Sequence, residues 1–476
     1  MAATSDLKPD ICVIGAGSGG LSVAAGAAAF GVPVVLIEKG LMGGDCLNYG
    51  CVPSKALIAA ASHAEAMRSG MPFGIKPVEP DIDFTKVMAH VKGVIGHIAP
   101  LDSVERFRGL GVSVIQGTAE FVDKNTVEVG GQKIRARRFV IASGSTPFVP
   151  PVPGLDNVAY LTNETVFELK RLPRHLLIVG GGPIGIELGQ AFRRLGSEVT
   201  ILDAGPMLGR EDPELAGFAT TALLEDGVTL RDHVTVDRVE RARNGVRLVL
   251  NGANGEEMVT GSHLLVATGR KPTVEGLGLE AAGIKHSARG IEVNDKLKTS
   301  NPRVFAIGDC IGDLQFTHAA NYHAGLVLRA ILFRMTAKRD NSVVPRATYC
   351  DPEIAAVGLS EEEACRRHDD IRIMRWPLVE NDRAQAERDT AGLIKVISTK
   401  KGVVLGAGIV GPHAGELIHP WTLAVTRKMK LNAITGLVFP YPTLGEISKR
   451  AAVNYYLPSL ASPWLRRIIG WLRRFG

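Results

Sequence analysis

The sequence predicts an α/β fold of two units built on parallel sheets, followed by a smaller C-terminal α+β domain. Three observations carry that expectation. A glycine-rich turn between an apolar strand and a helical stretch occurs twice, at residues 15–20 and again at 180–185. The chain has 476 residues, more than one hydrophobic core supports, so two to four domains are expected. Past residue 345 the texture changes to prolines and short strand-like runs.

In the first copy of the turn, the β-branched run DICVI (10–14) opens into Gly15-Ala-Gly17-Ser-Gly-Gly20. An alanine-rich helical stretch follows, then a second strand, 34–37, ending in Glu38. In the second copy, HLLIV (175–179) leads into Gly180-Gly-Gly182-Pro-Ile-Gly185, a helix, and a strand, 199–202, ending in Asp203. The acid follows the first glycine at the same spacing in both copies. Each glycine has a mechanical reason. The first permits the tight turn, the second lets the backbone approach a pyrophosphate, and the third lets helix and strand pack closely. The helix N-terminus then offers free N–H groups to phosphate, and the acid takes the ribose hydroxyls. Both units therefore read as Rossmann-like dinucleotide-binding domains. Asp203 repels a 2′-phosphate and so favours NADH over NADPH, with Arg193, Arg194 and Arg210 read as solvated side chains.

The third region, from about residue 346, shows strand-like runs at 392–397 and 403–410 and helical stretches around 414–428 and 446–456. Composition excludes several classes. Hydrophobic residues make up 45% and charged residues 22%, as in soluble globular proteins. Residues 1–10 lack the pattern of a secretory signal, and no stretch reads as a membrane span. The formal net charge of +6 is concentrated in four C-terminal arginines, so nucleic-acid binding is not expected. Six scattered cysteines do not make a disulfide framework, and a cytoplasmic protein with one special pair fits better.

That pair lies in GGDCLNYGCVPSK, residues 43–55, where four residues separate Cys46 from Cys51. If Pro53 marks a helix start, a turn can bring the two sulfurs together, and the positive helix end would favour a thiolate. A zinc site is disfavoured because no second ligand pair appears, and no metal site is expected. Two inert buried cysteines are the competing reading.

The segment resembles the active-site signature of the class I pyridine nucleotide–disulfide oxidoreductases, a family that includes dihydrolipoamide dehydrogenase, glutathione reductase and mercuric reductase. The similarity extends to Ala142-Ser-Gly144-Ser-Thr-Pro147, to Ala267-Thr-Gly269-Arg-Lys-Pro272 and to Val304-Phe-Ala-Ile-Gly308-Asp309. It implies a homodimer with an FAD domain at 1–155 and 273–345, an NAD(P) domain at 156–272 and a dimerisation domain at 346–458. Around FAD it places Gly15, Gly17, Gly20, Glu38, Gly44, Gly144 and Asp309; around the nicotinamide dinucleotide, Gly180, Gly182, Gly185, Asp203 and Gly269. It makes Cys51 the sulfur facing the flavin, Cys46 the interchange thiol, and Lys55 a flavin-side residue paired with Glu187. Near the C-terminus the disulfide reductases carry a histidine base supplied by the partner subunit. Here Tyr441-Pro-Thr443-Leu-Gly-Glu446 retains the acid as Glu446 but has Tyr441 at the base position, as mercuric reductase does. A phenol near pKa 10 is a poor base at neutral pH. The expected acceptor is thus a small-molecule disulfide, a quinone or a metal ion. A membrane-associated NADH:quinone or metal-ion reductase and a non-catalytic redox sensor stand as alternatives.

The tail, 459–476, contains WLRRIIGWLRRF. At about 100° per residue, Trp464, Leu465, Ile468, Ile469, Trp471, Leu472 and Phe475 share one face and the four arginines the other. This suits an interfacial helix at the inner face of a membrane, and a helix docked on the protein's own dimer is the alternative.

Overall fold

The computed structural model describes residues 6–252, 255–460 and 462–475. The ends of the expected first domain and tail, and residue 461 within that tail, lie outside them. The chain forms two compact units: Met1–Met71 with Lys76–Ala204 and Arg231–Arg339, and Pro72–Ile75 with Gly205–Leu230 and Asp340–Gly476.

The first unit is built on two parallel sheets. In the larger, the strand order is Val304–Ala306, Arg138–Ile141, Ile11–Ile14, Val34–Glu38 and Ser113–Gln116, and every pairing is parallel. The central strand is apolar throughout because both its faces are covered. Ile11 and Val13 pack with Leu21, Val23 and Ala24 of the following helix. Cys12 and Ile14 point the other way, among Phe121, Val127 and Phe139. Cys12 is therefore a core residue, and burial pushes its thiol far up from the ordinary value. In the second sheet, His175–Val179 pairs in parallel with Glu198–Leu202 and with His263–Val266. An antiparallel meander, Thr235–Ala242, Gly245–Gly252 and Gly255–Gly261, accompanies it.

The second unit holds a five-stranded antiparallel sheet in the order Arg346–Thr348, Glu353–Gly358, Val404–Gly411, Leu393–Thr399, Ile371–Pro377. Helices His419–Thr426 and Glu446–Asn454 pack on it. The fully buried Trp421 joins them by donating from Nε1 to Ser448 Oγ at 3.0 Å. The helical stretch expected over 414–428 divides into Ala414–Leu417 and His419–Thr426. Pro420 is the reason: it lacks an N–H, which only the first turn of a helix tolerates, so a new helix starts there. In the same unit, buried Lys395 meets Asp212 at 2.8 Å, Glu214 at 2.9 Å and Glu361 at 2.5 Å.

Candidate active site

The two glycine-rich turns have the same construction. Gly15 has φ +103°, and a Cβ there would stand 2.3 Å from Ala142 O; Gly180 has φ +120° and would meet Ala267 O at the same distance. A Cβ on Gly20 would come within 1.8 Å of Gly15 O, and one on Gly185 within 1.9 Å of Gly180 O. The middle glycines differ: beside Gly17 and Gly182 nothing lies within 4 Å of the Cβ position. These two glycines cap helices Ser18–Ala29 and Pro183–Arg194 without any side-chain cap, leaving the first-turn N–H groups and the positive dipole end toward open space. A pyrophosphate fits each cradle. The acids fit as well. Glu38 accepts from Ala16 N at 2.6 Å and Gly40 N at 2.7 Å, and Asp203 accepts from Gly181 N at 2.6 Å, so each carboxylate closes its own turn. Gly144 and Gly269 lie in turns with positive φ and nothing within 4 Å of the Cβ position.

The cysteine segment docks against the first turn. Gly44 has φ +60°, and its Cβ position is 2.8 Å from Gly17 Cα. Cys46 lies in helix Gly44–Asn48, and Cys51 is the first residue of helix Cys51–Arg68, whose N-cap Gly50 contributes no side chain. The positive end of that helix therefore acts on the Cys51 sulfur. Cys46 is partly buried, Cys51 exposed, and neither is disulfide-bonded here.

The two thiols are unequal. A hydrogen bond from Cys46 pulls Cys51 down to about 6, assisted by Thr317 and the Lys55 ammonium and opposed by burial. Cys51 Sγ and Thr317 Oγ1 are 3.5 Å apart. The same hydrogen bond, together with burial, pushes Cys46 up. The arrangement thus favours the proton on Cys46 and the thiolate on Cys51. One helical turn beyond Cys51, Lys55 Nζ lies 2.6 Å from Glu187 Oε2, which brings together helices Cys51–Arg68 and Pro183–Arg194.

Asp309 accepts from Ser145 Oγ at 2.6 Å, and burial raises its carboxyl. Arg270 is the hub of this corner. It donates from Nε to Ser145 Oγ at 2.7 Å, from Nη2 to Ser145 O at 2.9 Å, and its Nη2 lies 3.0 Å from Asp45 Oδ1. Asn163 Nδ2 donates to Asp45 Oδ1 at 3.0 Å and to Tyr49 O at 3.2 Å. Asp45, Asn163, Arg270 and Thr317 were all missed as site residues. Arg270 had a signal, its place between Gly269 and Pro272; Asn163 had none.

In the second unit, Tyr441 is 70% exposed and its hydroxyl donates to Asp382 Oδ2 at 2.8 Å. That hydrogen bond raises the phenol above its ordinary value. Glu446 opens helix Glu446–Asn454. Among the described residues, no group of three or more His, Cys, Asp or Glu side chains could hold a metal ion, and no helix is long and apolar enough to cross a membrane.

Comparison with known proteins points one way. A family model described as pyridine nucleotide-disulphide oxidoreductase matches residues 9–324, and the dimerisation domain of the same family matches 344–452. A mercuric reductase of Lysinibacillus sphaericus is 35% identical over 449 residues, 94% of this chain and 82% of that protein. A dihydrolipoyl dehydrogenase of Geobacillus stearothermophilus is 36% identical, covering 94% of this chain and 96% of that protein. The solved structure of the HOCl-induced flavoprotein disulfide reductase RclA from Escherichia coli superimposes with a TM-score of 0.83 at 28% identity, covering 93% of this chain and 99% of that one.

Proposed function

The chain belongs to the pyridine nucleotide–disulphide oxidoreductases and is an FAD-dependent, homodimeric enzyme of that family, and on that premise we propose that it passes electrons from NADH to a small-molecule disulfide through Cys46 and Cys51. FAD, when bound, supplies the two-electron step between nicotinamide and the cysteine pair. The turn at 15–20 with Glu38 and Asp309 would hold the flavin dinucleotide, and the turn at 180–185 with Asp203 the nicotinamide dinucleotide. The domain division 1–155 with 273–345, 156–272 and 346–458 is part of the same proposal, as is a cytoplasmic location. Preference for NADH is supported by the carboxylate of Asp203, which closes its turn and presents negative charge where a 2′-phosphate would sit.

The observation that carries the reading is the asymmetry of the pair. Cys51 holds the thiolate at a helix N-terminus beside Lys55, and Cys46 holds the proton. In exchange, Cys46 passes its proton along the hydrogen bond to Cys51 as its sulfur attacks the acceptor disulfide, forming a mixed disulfide and releasing one thiolate. Cys51 then attacks Cys46 and gives that proton to the second departing sulfur, closing the Cys46–Cys51 disulfide, so two electrons and one proton leave the pair. Tyr441 and Glu446, contributed across the dimer, would face this exchange with a phenol that donates a proton to the departing thiolate rather than accepting one.

That phenol also favours a second reading. An acceptor bound directly by sulfur, such as a soft metal ion, needs no base beside Cys46, and Asp382 keeps Tyr441 protonated. NADH turnover with lipoamide, glutathione disulfide, a quinone and Hg(II) separates the readings. Disulfide turnover lost in Cys46→Ser supports the first. Hg(II) turnover alone supports the second, and quinone reduction that survives Cys46→Ser, with no turnover of any disulfide or of Hg(II), rejects both. With the enzyme goes a peripheral membrane contact, which we assign to the C-terminal helix.

A further inference from the structure

Helix Pro463–Leu472 buries none of its residues: most of its apolar face is exposed, with Leu465 and Ile468 half-buried. Trp464 is 70% exposed, Trp471 57% and Phe475 72%, and Ile469 and Leu472 are about half exposed. Aromatic rings are costly to leave in water, and such a contiguous face marks an interaction surface. The face is preorganised: Trp471 and Phe475, one turn apart, pack edge to face with centroids 4.8 Å apart. The opposite side carries Arg466, Arg467, Arg473 and Arg474, which supply +4 of the formal net +6. Gly470 is the one uncharged position among them, and nothing lies within 4 Å of its Cβ position.

We infer that this helix is a docking element for an anionic phospholipid surface, lying in the plane of the interface with Trp464, Trp471 and Phe475 inserted at headgroup depth. The inference rests on the peripheral contact proposed for the tail and specifies its partner. Charge complementarity selects that partner. A protein groove would take the apolar face and leave the four exposed arginines in water without using their charge, whereas an anionic leaflet takes the apolar face and attracts the arginines as well. Long arginine side chains reach back from a half-submerged helix to lipid phosphates, and each such contact strengthens binding about fivefold. The catalytic groups belong to other elements, so binding need not alter exchange at Cys46 and Cys51.

The test is cosedimentation of the full-length, flavin-loaded enzyme with phosphatidylcholine vesicles and with vesicles containing phosphatidylglycerol, read with the tryptophan emission wavelength. The expected result is binding that rises at least tenfold with phosphatidylglycerol, falls with salt, and shifts emission to the blue. Exchanging the four arginines for glutamine should remove the phosphatidylglycerol dependence. Trp464→Ser with Trp471→Ser should remove the blue shift. Equal binding to both vesicle types would keep the membrane contact but overturn its anionic specificity. No binding to either would overturn both. Loss of the dimer on deleting 463–476, without vesicle binding, would show instead that the helix covers a second copy of this chain.

Discussion

At the scale of single residues, two identical side chains are set to opposite tasks by their neighbours. Cys51 stands at a helix N-terminus with Lys55 one turn on, Thr317 at 3.5 Å and a hydrogen bond from Cys46, so its negative form is favoured. Cys46 gives that hydrogen bond and keeps its proton. An acid whose pKa is lowered stays ionised as pH falls, until pH passes the lowered value. In Cys46→Ser, which leaves Cys51 as the only thiol of the pair, the long-wavelength absorbance band should therefore show the Cys51 thiolate retained as pH falls. It should be lost at a higher pH than the wild-type value of about 6, because the Cys46 hydrogen bond is weakened. In the wild-type dithiol enzyme the band should hold from pH 8 down to about 6. Well below that the band should fall about tenfold per pH unit as the thiolate is protonated. An ordinary thiol would already lose its thiolate below about pH 8.5, and that profile in the wild type would contradict the assignment. Tyr441 offers a second check. Tyr441→His places a group with a pKa near 6.5 where the phenol stands and should raise disulfide turnover, by up to about two orders of magnitude if proton transfer limits it. A rate no higher than that of Tyr441→Phe would show that no base is wanted there. The spacing of Cys46, Cys51 and Lys55 could be read directly from the sequence. Asp382 could not be connected to Tyr441, because nothing local joins residues 59 apart.

At the scale of elements, the strand–turn–helix units were legible because short-range geometry dictates them. The third glycine of each turn is fixed by a backbone carbonyl five residues earlier, 1.8 Å from a Cβ at Gly20 and 1.9 Å at Gly185, so spacing alone carries the information. Gly20→Ala should yield protein that no longer retains flavin, seen as loss of the visible absorbance. Gly185→Ala should retain flavin but raise the KM for NADH at least about tenfold, since its turn must deform to admit the methyl group. If Gly185→Ala instead loses flavin, the assignment of the two turns is reversed. The corner made by Arg270, Asp45 and Asn163 was not legible. Asn163 reaches Asp45 across 118 residues, a contact created by packing. The same holds for Lys395, whose strand reads as an ordinary apolar run although its side chain is only 5% exposed among three carboxylates. Lys395→Met should cost about 3 kcal/mol in denaturant unfolding, because Asp212 is left buried without its cation. A loss under about 1 kcal/mol would mean that Arg375, which binds Glu214 and Glu361, suffices.

At the scale of the whole molecule, the antiparallel sheet of the second unit starts at Arg346, where the sequence texture changes, but the assembly of each sheet was not legible. Strand Val304–Ala306 joins the sheet beside Arg138–Ile141, after the entire second βαβ unit has intervened. Its short apolar run alone carries no mark of that destination; only the family resemblance of Val304-Phe-Ala-Ile-Gly308-Asp309 grouped 273–345 with 1–155. What the resemblance added was the meaning of the pair at 46 and 51, which spacing left open between a redox couple and two inert thiols. The pair is the central claim, and an anaerobic titration of the flavin-loaded dimer with NADH tests it most directly. A redox couple with Cys51 on the flavin side predicts that the wild type takes up four electrons per subunit and develops a long-wavelength absorbance band as the pair opens. Cys46→Ser should show the band without added NADH, and Cys51→Ser should lack it and take up only two electrons. A wild type that bleaches after two electrons with no such band, or a Cys51→Ser variant that retains it, would contradict the assignment.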